Sequence, residues 1–216
     1  MARPRTFDED RVLDAAMHTF WENGYEATST RDLCDAVGLD RSSVYNTFKS
    51  KHGLFIRALT RYIDTTTATQ LEILENPGRP AVERIRALFA EIIEVEAANR
   101  RDGYGRGCLT VNTTVELAGR DPEIALLLDR DMARRLESLK AVIATGRRDG
   151  DITSPRDPDS LSRFLNAVIA GIRVAAQGGA DRAILEAIAA TAIDALTSDT
   201  FIPDAPTPRR LDALTS

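Results

Sequence analysis

Gly38 divides the run STRDLCDAVGLDRSSVYNTFKSK, Ser29 to Lys51, into two helical segments too short to be stable apart. Ser29 or Thr30 offers a capping oxygen to the first, and Asp32 lies in its first turn, where a carboxylate favours the helix dipole. Leu33, Ala36 and Val37 give that segment an i, i+3, i+4 apolar face. Gly38 then stands where a helix stops in the left-handed conformation, which costs a residue without Cβ nothing. Leu39 is expected to plug the turn into a core, and Asp40 to cap a second helix with Val44 and Phe48 inward. Its outward face keeps Arg41, Ser42, Ser43, Tyr45, Asn46 and Thr47. A short helix with a wholly hydrogen-bonding exposed face, held across a tight turn from its neighbour, has the layout of a helix-turn-helix. An αα-hairpin with a solvated polar face fits the same residues.

The flanks supply what this unit lacks. Residues 6–23 read as a helix opened by a capping box, Thr6-Phe7-Asp8-Glu9, with Val12, Leu13, Ala16, Phe20 and Trp21 as its buried stripe. Asn23-Gly24 ends it, and Tyr25 is expected to pack back on it. Three helices in so few residues bury little area and need a companion. That companion starts at Ser50-Lys51, with Leu54, Phe55, Ala58, Leu59, Tyr62 and Ile63 at helical spacing, and runs to about Glu75, where ENPGRP breaks it. It is placed to join the N-terminal unit mechanically to the rest.

Beyond Pro80 the periodicity stays helical. Val82, Ile85, Leu88, Phe89, Ile92 and Ile93 mark one helix, with Glu91, Glu94 and Glu96 expected on its solvated face. Gly107 to Ala118 reads as a shorter helix, Asp121-Pro122 starts one lasting to about Arg147, and GRRDGDITSPRDP reads as a polar loop. Two last helices, within about 158–197, carry broad apolar faces relieved by Ala167, Ala170, Gly171, Ala175, Ala189 and Ala190. Small residues let helices approach closely, which suits a buried hairpin or a four-helix interface between two chains. From Ser198 onward, Pro203, Pro206 and Pro208 mark a loose tail.

The net charge of -5 sits awkwardly with a polyanionic partner, so its distribution matters. Residues 1–61 hold nine Lys or Arg against nine Asp or Glu, leaving the excess negative charge to the remainder. Arg3, Arg5, Arg31, Arg41, Lys49 and Lys51 fall at an arm, helix starts and a turn, positions able to share one basic face. No apolar run is long enough to span a membrane and MARPRTFDED carries no secretory segment, so a cytoplasmic protein without membrane contact is expected. Cys34 and Cys108 lie far apart and make no metal-spaced pair. His18 and His52 are the only histidines, both near the N-terminus, and no nucleophile elbow, phosphate loop or ligand cluster occurs. The chain therefore reads as a non-enzyme with no cofactor or metal; a helical enzyme or a scaffold without sequence-specific DNA binding is the rival class.

TRDLCDAVGLDRSSVYNTFKSKHGLF, preceded by GYEATS, resembles the DNA-binding segment of the TetR (tetracycline repressor) family of transcription regulators. Roughly residues 8–63 carry the likeness, through the GY-x-x-T entry, the D-L-C-x-A-V-G-L turn, the aromatic of V-Y-N-T-F and the F-x-S-K exit. The resemblance implies an all-α chain of about nine helices: a helix-turn-helix DNA-binding domain over 1–50, a helical ligand-binding and dimerisation domain over 51–198, and a tail over 199–216. It points to Arg31, Arg41, Ser42, Ser43 and Asn46 for base edges, and to Thr30, Tyr45, Thr47 and Lys51 for phosphates. The chemistry agrees, since Arg reads guanine and Asn pairs bidentately with adenine, while hydroxyls and Lys serve the backbone. Many members carry a histidine and a further aromatic in the second helix of the helix-turn-helix, where this chain has Thr47 and Asn46, so the operator sequence does not carry over. The implied function is a homodimeric repressor that leaves a palindromic operator when a small molecule or electrophile acts on the C-terminal domain.

Phe89, Ile93, Cys108, Asn112, Val115, Phe164 and Val168 are the ligand-pocket candidates, chosen as inward-facing. In GRGCLTVNTTVELAG, Gly107 is expected to cap a helix and put Cys108 in its first turn beside Arg106, where dipole and amides favour a thiolate. Cys108, Val111, Val115 and Ala118 then share a face, with Asn112 one turn from the thiol. A buried small hydrophobe is the plain alternative for Cys108. The G-C-L start resembles TetR-family members related to the N-ethylmaleimide-reductase repressor, which sense through a cysteine. A lysine partner is hard to assign, because Lys140 is the only lysine after Lys51. Cys34 reads as structural.

Overall fold

The structure is a computed structural model that describes residues 8–101 and 107–198. Among these it holds nine α-helices: α1 Glu9–Asn23, α2 Thr30–Val37, α3 Arg41–Phe48, α4 Lys51–Leu74, α5 Ala81–Arg101, α6 Leu109–Leu117, α7 Pro122–Asp149, α8 Pro158–Gln177 and α9 Arg182–Thr197. Sequence-local chemistry sets most of their ends. Asp8, Ser29, Asp40, Ser50, Asp121, Asp157 and Asp181 each accept a first-turn N–H, and Pro122 and Pro158 take first-turn positions where a missing N–H costs nothing. α1 begins at an Asp8 cap; the expected Thr6 capping box falls on residues outside those described, as do Arg3, Arg5, Arg106 and the tail over 199–216.

Buried apolar side chains form two clusters. One joins α5, the second half of α7, α8 and α9, with Ile85, Ile143, Leu165, Ile172 and Leu196 fully enclosed. The other joins α1, α2, α3 and the first half of α4, around Phe20, Leu33, Leu54 and Phe55, and also takes in Cys108, Leu109 and Leu117 of the α6 region and Ile124 and Leu128 of α7. The α6 segment thus shares the apolar core of the N-terminal helices, not that of the C-terminal bundle.

Several sequence-based expectations change. Ala36 is exposed and Trp21 and Leu39 are only half-buried. Glu96, expected on a solvated face, is buried. The expected polar loop after residue 146 is partly α7 itself, and its remainder seats Ile152 and Ser154 in the interior, with Thr153 and Ser154 donating to Leu196 O. The end of α9 overrules polarity there: the loop must cross it, and its last carbonyls need donors.

Candidate nucleic-acid interface and buried cysteine site

The DNA-reading candidates lie on α2, α3 and the start of α4. Ser29 and Asp32 form a reciprocal capping box on α2, and Ser29 holds the Asp32 carboxyl below its ordinary range. Gly38 ends α2 at φ 68°, so the turn is left-handed as its sequence demands. Thr30 and Tyr45 meet hydroxyl to hydroxyl at 3.3 Å, which ties α3 to the start of α2 and, with Arg41 next, lowers the phenol. Arg41 stacks 5.4 Å from the centre of the Tyr45 ring, and Lys51 lies 4.3 Å from that of Tyr25. Lys49, at φ 69° and ψ -43°, is the central residue of a tight turn closed by Ser50 N donating to Phe48 O at 2.8 Å. That turn sets Lys51 at the foot of α4.

These candidates are not equally free. Arg41 and Asn46 are exposed on the outer face of α3, and Arg31 is exposed with only a loose 3.8 Å pairing to Asp35. Ser42 and Ser43, by contrast, donate their hydroxyls to Asp40 at 2.6 and 3.2 Å, which also keeps that carboxyl ionised below its usual range. Thr47 donates to Ser43 O within the helix.

The ligand candidates do not converge on one place. Phe89 and Ile93 face a groove of about 220 Å³ against α9. Val168 packs half-buried on the C-terminal core, and Asn112 is half-buried on α6. Val115 is 86% exposed and Phe164 42% exposed, so neither faces inward as expected. The residues α6 buries are Leu109, Thr110, Thr113 and Leu117, and at about 100° per residue Val115 falls on the opposite side of the helix.

Cys108 occupies a built site. It is not in the first turn but is the N-cap residue of α6, at φ -104° and ψ 127°, following Gly107 at φ 69°. That positive φ is the reason glycine stands at 107; a Cβ there would meet only the exposed, movable Gln177 side chain. The Cys108 sulfur accepts from Arg173 Nη1 at 2.6 Å and from the Tyr62 hydroxyl at 3.4 Å, and lies 2.9 Å from Thr110 Oγ1. Burial pushes this thiol up; the Arg173 guanidinium, the Thr110 and Tyr62 hydroxyls and the Val111 amide outweigh it, and the thiol ends below its ordinary value. Burial and the neighbouring sulfur push the Tyr62 phenol well up, so it stays a donor. Glu96 Oε1 stands 4.0 Å from Arg173 Nε, and burial raises its carboxyl towards the protonated form. The sequence held one clue to Arg173: a lone arginine on the stripe Ile169, Ile172, Ala176 of α8.

The α6 segment is bonded to the N-terminal helices at both ends. Trp21 Nε1 on α1 donates to Gly107 O at 2.9 Å. The Glu116 carboxylate, at the other end, accepts Tyr25 N at 3.0 Å and Glu26 N at 2.8 Å, the two amides leading into α2.

A polar-faced α3 held across a left-handed glycine turn from α2, on an otherwise helical chain, defines a helix-turn-helix transcriptional regulator. The model described as bacterial regulatory proteins, tetR family, matches residues 12–58, and that described as tetracyclin repressor-like, C-terminal domain, matches residues 81–193. The chain belongs to the TetR family. It is 32% identical over 191 residues to the HTH-type transcriptional repressor ComR of Escherichia coli (strain K12), spanning 88% of this chain and 90% of that one. A cysteine mutant of the TetR family transcriptional regulator CifR, complexed with 26-bp double-strand operator DNA, superposes with TM-score 0.78 at 30% identity, covering 90% of this chain and 100% of that one. The reduced form of Escherichia coli NemR shares the fold at TM-score 0.76 and 18% identity, over 89% of this chain and 98% of that one. This chain is thus a DNA-binding transcriptional regulator of the repressor type. Among the described residues no helix is long and apolar enough to cross a membrane.

Proposed function

We propose that the protein is a homodimeric repressor whose hold on a palindromic operator is released when a small electrophile or oxidant acts at Cys108. The observation that carries this reading is the guanidinium of Arg173 on the Cys108 sulfur at the head of α6, an arrangement that favours a thiolate. The operator-bound cysteine mutant of CifR is consistent with it. In this reading residues 1–50 bind DNA, 51–198 sense and dimerise, and α3 of each protomer enters successive major grooves about 34–36 Å apart. Arg31, Arg41 and Asn46 read bases, while Thr30, Tyr45, Thr47 and Lys51 grip phosphates; Ser42 and Ser43 join them only by giving up Asp40, and Thr47 only by giving up Ser43 O.

Pairing through α8 and α9 accounts for an apolar surface that the fold leaves uncovered: Phe164 and Val174 on α8 and Ile184 on α9 are 42–53% exposed, beside the exposed Gly171. Modification of Cys108 removes the anion that Arg173 holds and displaces the head of α6. Because α6 is bonded to Trp21 and to the Tyr25 and Glu26 amides, that displacement reaches α1 and the entry to α2 directly, beside any movement of α4. Release requires that the modified sensor favour the splayed arrangement over the DNA-competent one.

A gel shift on DNA flanking its own gene tests this, with and without a thiol oxidant, alongside Cys108→Ser. Salt-sensitive binding that the oxidant abolishes only in the unsubstituted protein is expected. Equal response of both proteins would retire Cys108 as the sensor.

A further inference from the structure

Resting on the Cys108 reading, we infer that the groove between α6, α7 and α8 selects a carboxylate-bearing electrophile and delivers it to Cys108 through Arg173. The groove has a volume of about 150 Å³. A protein cavity of that size holds a molecule like benzene, so about six to eight non-hydrogen atoms fit. Its walls are mainly aliphatic, and its polar lining is Thr110, Thr114, Arg135, Asn166 and Arg173. Among the described residues no carboxylate lines it: Asp131, the nearest acid on α7, is buried and spent on Thr67 at 2.6 Å and Arg135 at 3.1 Å. Arg135 is in turn held by Asp131 and Asn166, so what the groove offers a ligand is the Arg173 guanidinium with a set of hydroxyl and amide groups, the complement of an oxygen anion on a short apolar body.

Arg173 stands between the groove and the sulfur. It is 8% exposed, its Nε has no hydrogen-bond partner, and it both lines the groove and covers the sulfur. Cys108 itself is 1% exposed, so a reagent must move Arg173 to reach it. A carboxylate drawing on the guanidinium supplies that movement, and an uncharged reagent of equal size does not. Asn166 and Arg173 stand seven residues apart on α8, about 10 Å, so an acid group engaging Arg173 keeps the reactive carbon at the Cys108 end while the rest of the groove, towards Asn166, takes the ligand's body. For a conjugated unsaturated acid, the thiolate pair forms the S–C bond at the terminal alkene carbon. The π pair moves to the adjacent carbon and takes a proton from water, with no leaving group and no change in redox state.

Two haloacetyl probes separate charge from reactivity. Iodoacetate and iodoacetamide each form an S–CH2 bond and release iodide, but a thiolate in water disfavours the anionic one. Initial rates at Cys108 are read by peptide mass spectrometry on the reduced, full-length Cys34→Ser protein, with 2-mercaptoethanol as the reference thiol. The iodoacetate-to-iodoacetamide ratio is expected to exceed the reference ratio at least about tenfold. Arg173→Gln should return it to the reference value. That variant tolerates the loss because Cys108 can take up a proton. Asn166→Asp, which keeps an acceptor for Arg135 Nη1, should lower the ratio without touching the sulfur. A ratio at or below the reference, no reaction with either probe, or a ratio unmoved by both variants overturns the inference. DNA release is scored separately by fluorescence anisotropy. Alkylated protein that still binds its operator would sink the sensor reading while leaving the groove's selectivity standing.

Discussion

Glu116 is the residue whose loss most directly tests whether α6 governs the DNA-reading unit. Its carboxylate accepts the Tyr25 and Glu26 amides at 3.0 and 2.8 Å. A hydrogen bond to a charged group contributes about 1.5–3 kcal/mol, and the Glu26 amide lies at an exposed position where water can replace its partner. The part-buried Tyr25 amide has no such substitute once the carboxylate is gone, so Glu116→Ala should cost about 2–3 kcal/mol in all. For a chain of this length that corresponds to a fall in Tm of about 4–12 °C. Glu116→Gln retains one carbonyl acceptor and should lose roughly half as much. The entry to α2 is loosened by the same change, so operator affinity should fall while the helical content by circular dichroism stays constant. Differential scanning calorimetry and anisotropy titration on one preparation read both effects. A Glu116→Ala protein with unchanged Tm and unchanged operator affinity would refute the idea that this clamp holds the helix-turn-helix.

Arg41→Ala or Asn46→Ala should each cost about 1–3 kcal/mol on the operator and relax one base position, seen in binding to single-base variants. Lys51→Ala should weaken all DNA alike and reduce the salt slope by about one. Because the Cys108 thiol is depressed in the folded chain, its stabilising contribution is complete above the ordinary thiol value and is lost as pH falls through the depressed one. The Tm gap between the unsubstituted protein and Cys108→Ser should accordingly widen as pH is raised from about 6 to about 9, and a gap independent of pH would contradict an ionised sulfur. Phe164→Glu, placed on the uncovered face of α8, should give monomers by sedimentation velocity and abolish cooperative operator binding.

The nine helices and the turn between α2 and α3 were legible because their signals are local. Ser29, Asp40, Ser50, Asp121 and Asp157 cap the helices they precede, and Gly38 adopts the left-handed conformation that only its lack of Cβ makes cheap. Family resemblance, which follows those same local marks, extended the reading to the class of protein. Side-chain direction within short helices was less legible: α6 buries Leu109, Thr110, Thr113 and Leu117, the side opposite Val115, and Cys108, as a non-helical cap, does not mark that face.

What the sequence could not state was which distant residues meet. Arg173 and Cys108 are 65 positions apart, Glu116 and Tyr25 are 91, and Trp21 and Gly107 are 86. A buried cation is costly alone, so it must find an anion, but its choice of partner depends on how α4, α5, α6 and α8 are packed and not on any neighbour in the chain. The same holds for Glu96, whose place in an acidic-looking helix face read as solvated until α8 covered it. Local hydrogen bonding and periodicity decided where each helix begins and ends; only tertiary packing decided that α6 belongs to the core of the DNA-reading helices and that an arginine, not a lysine, stands over the cysteine.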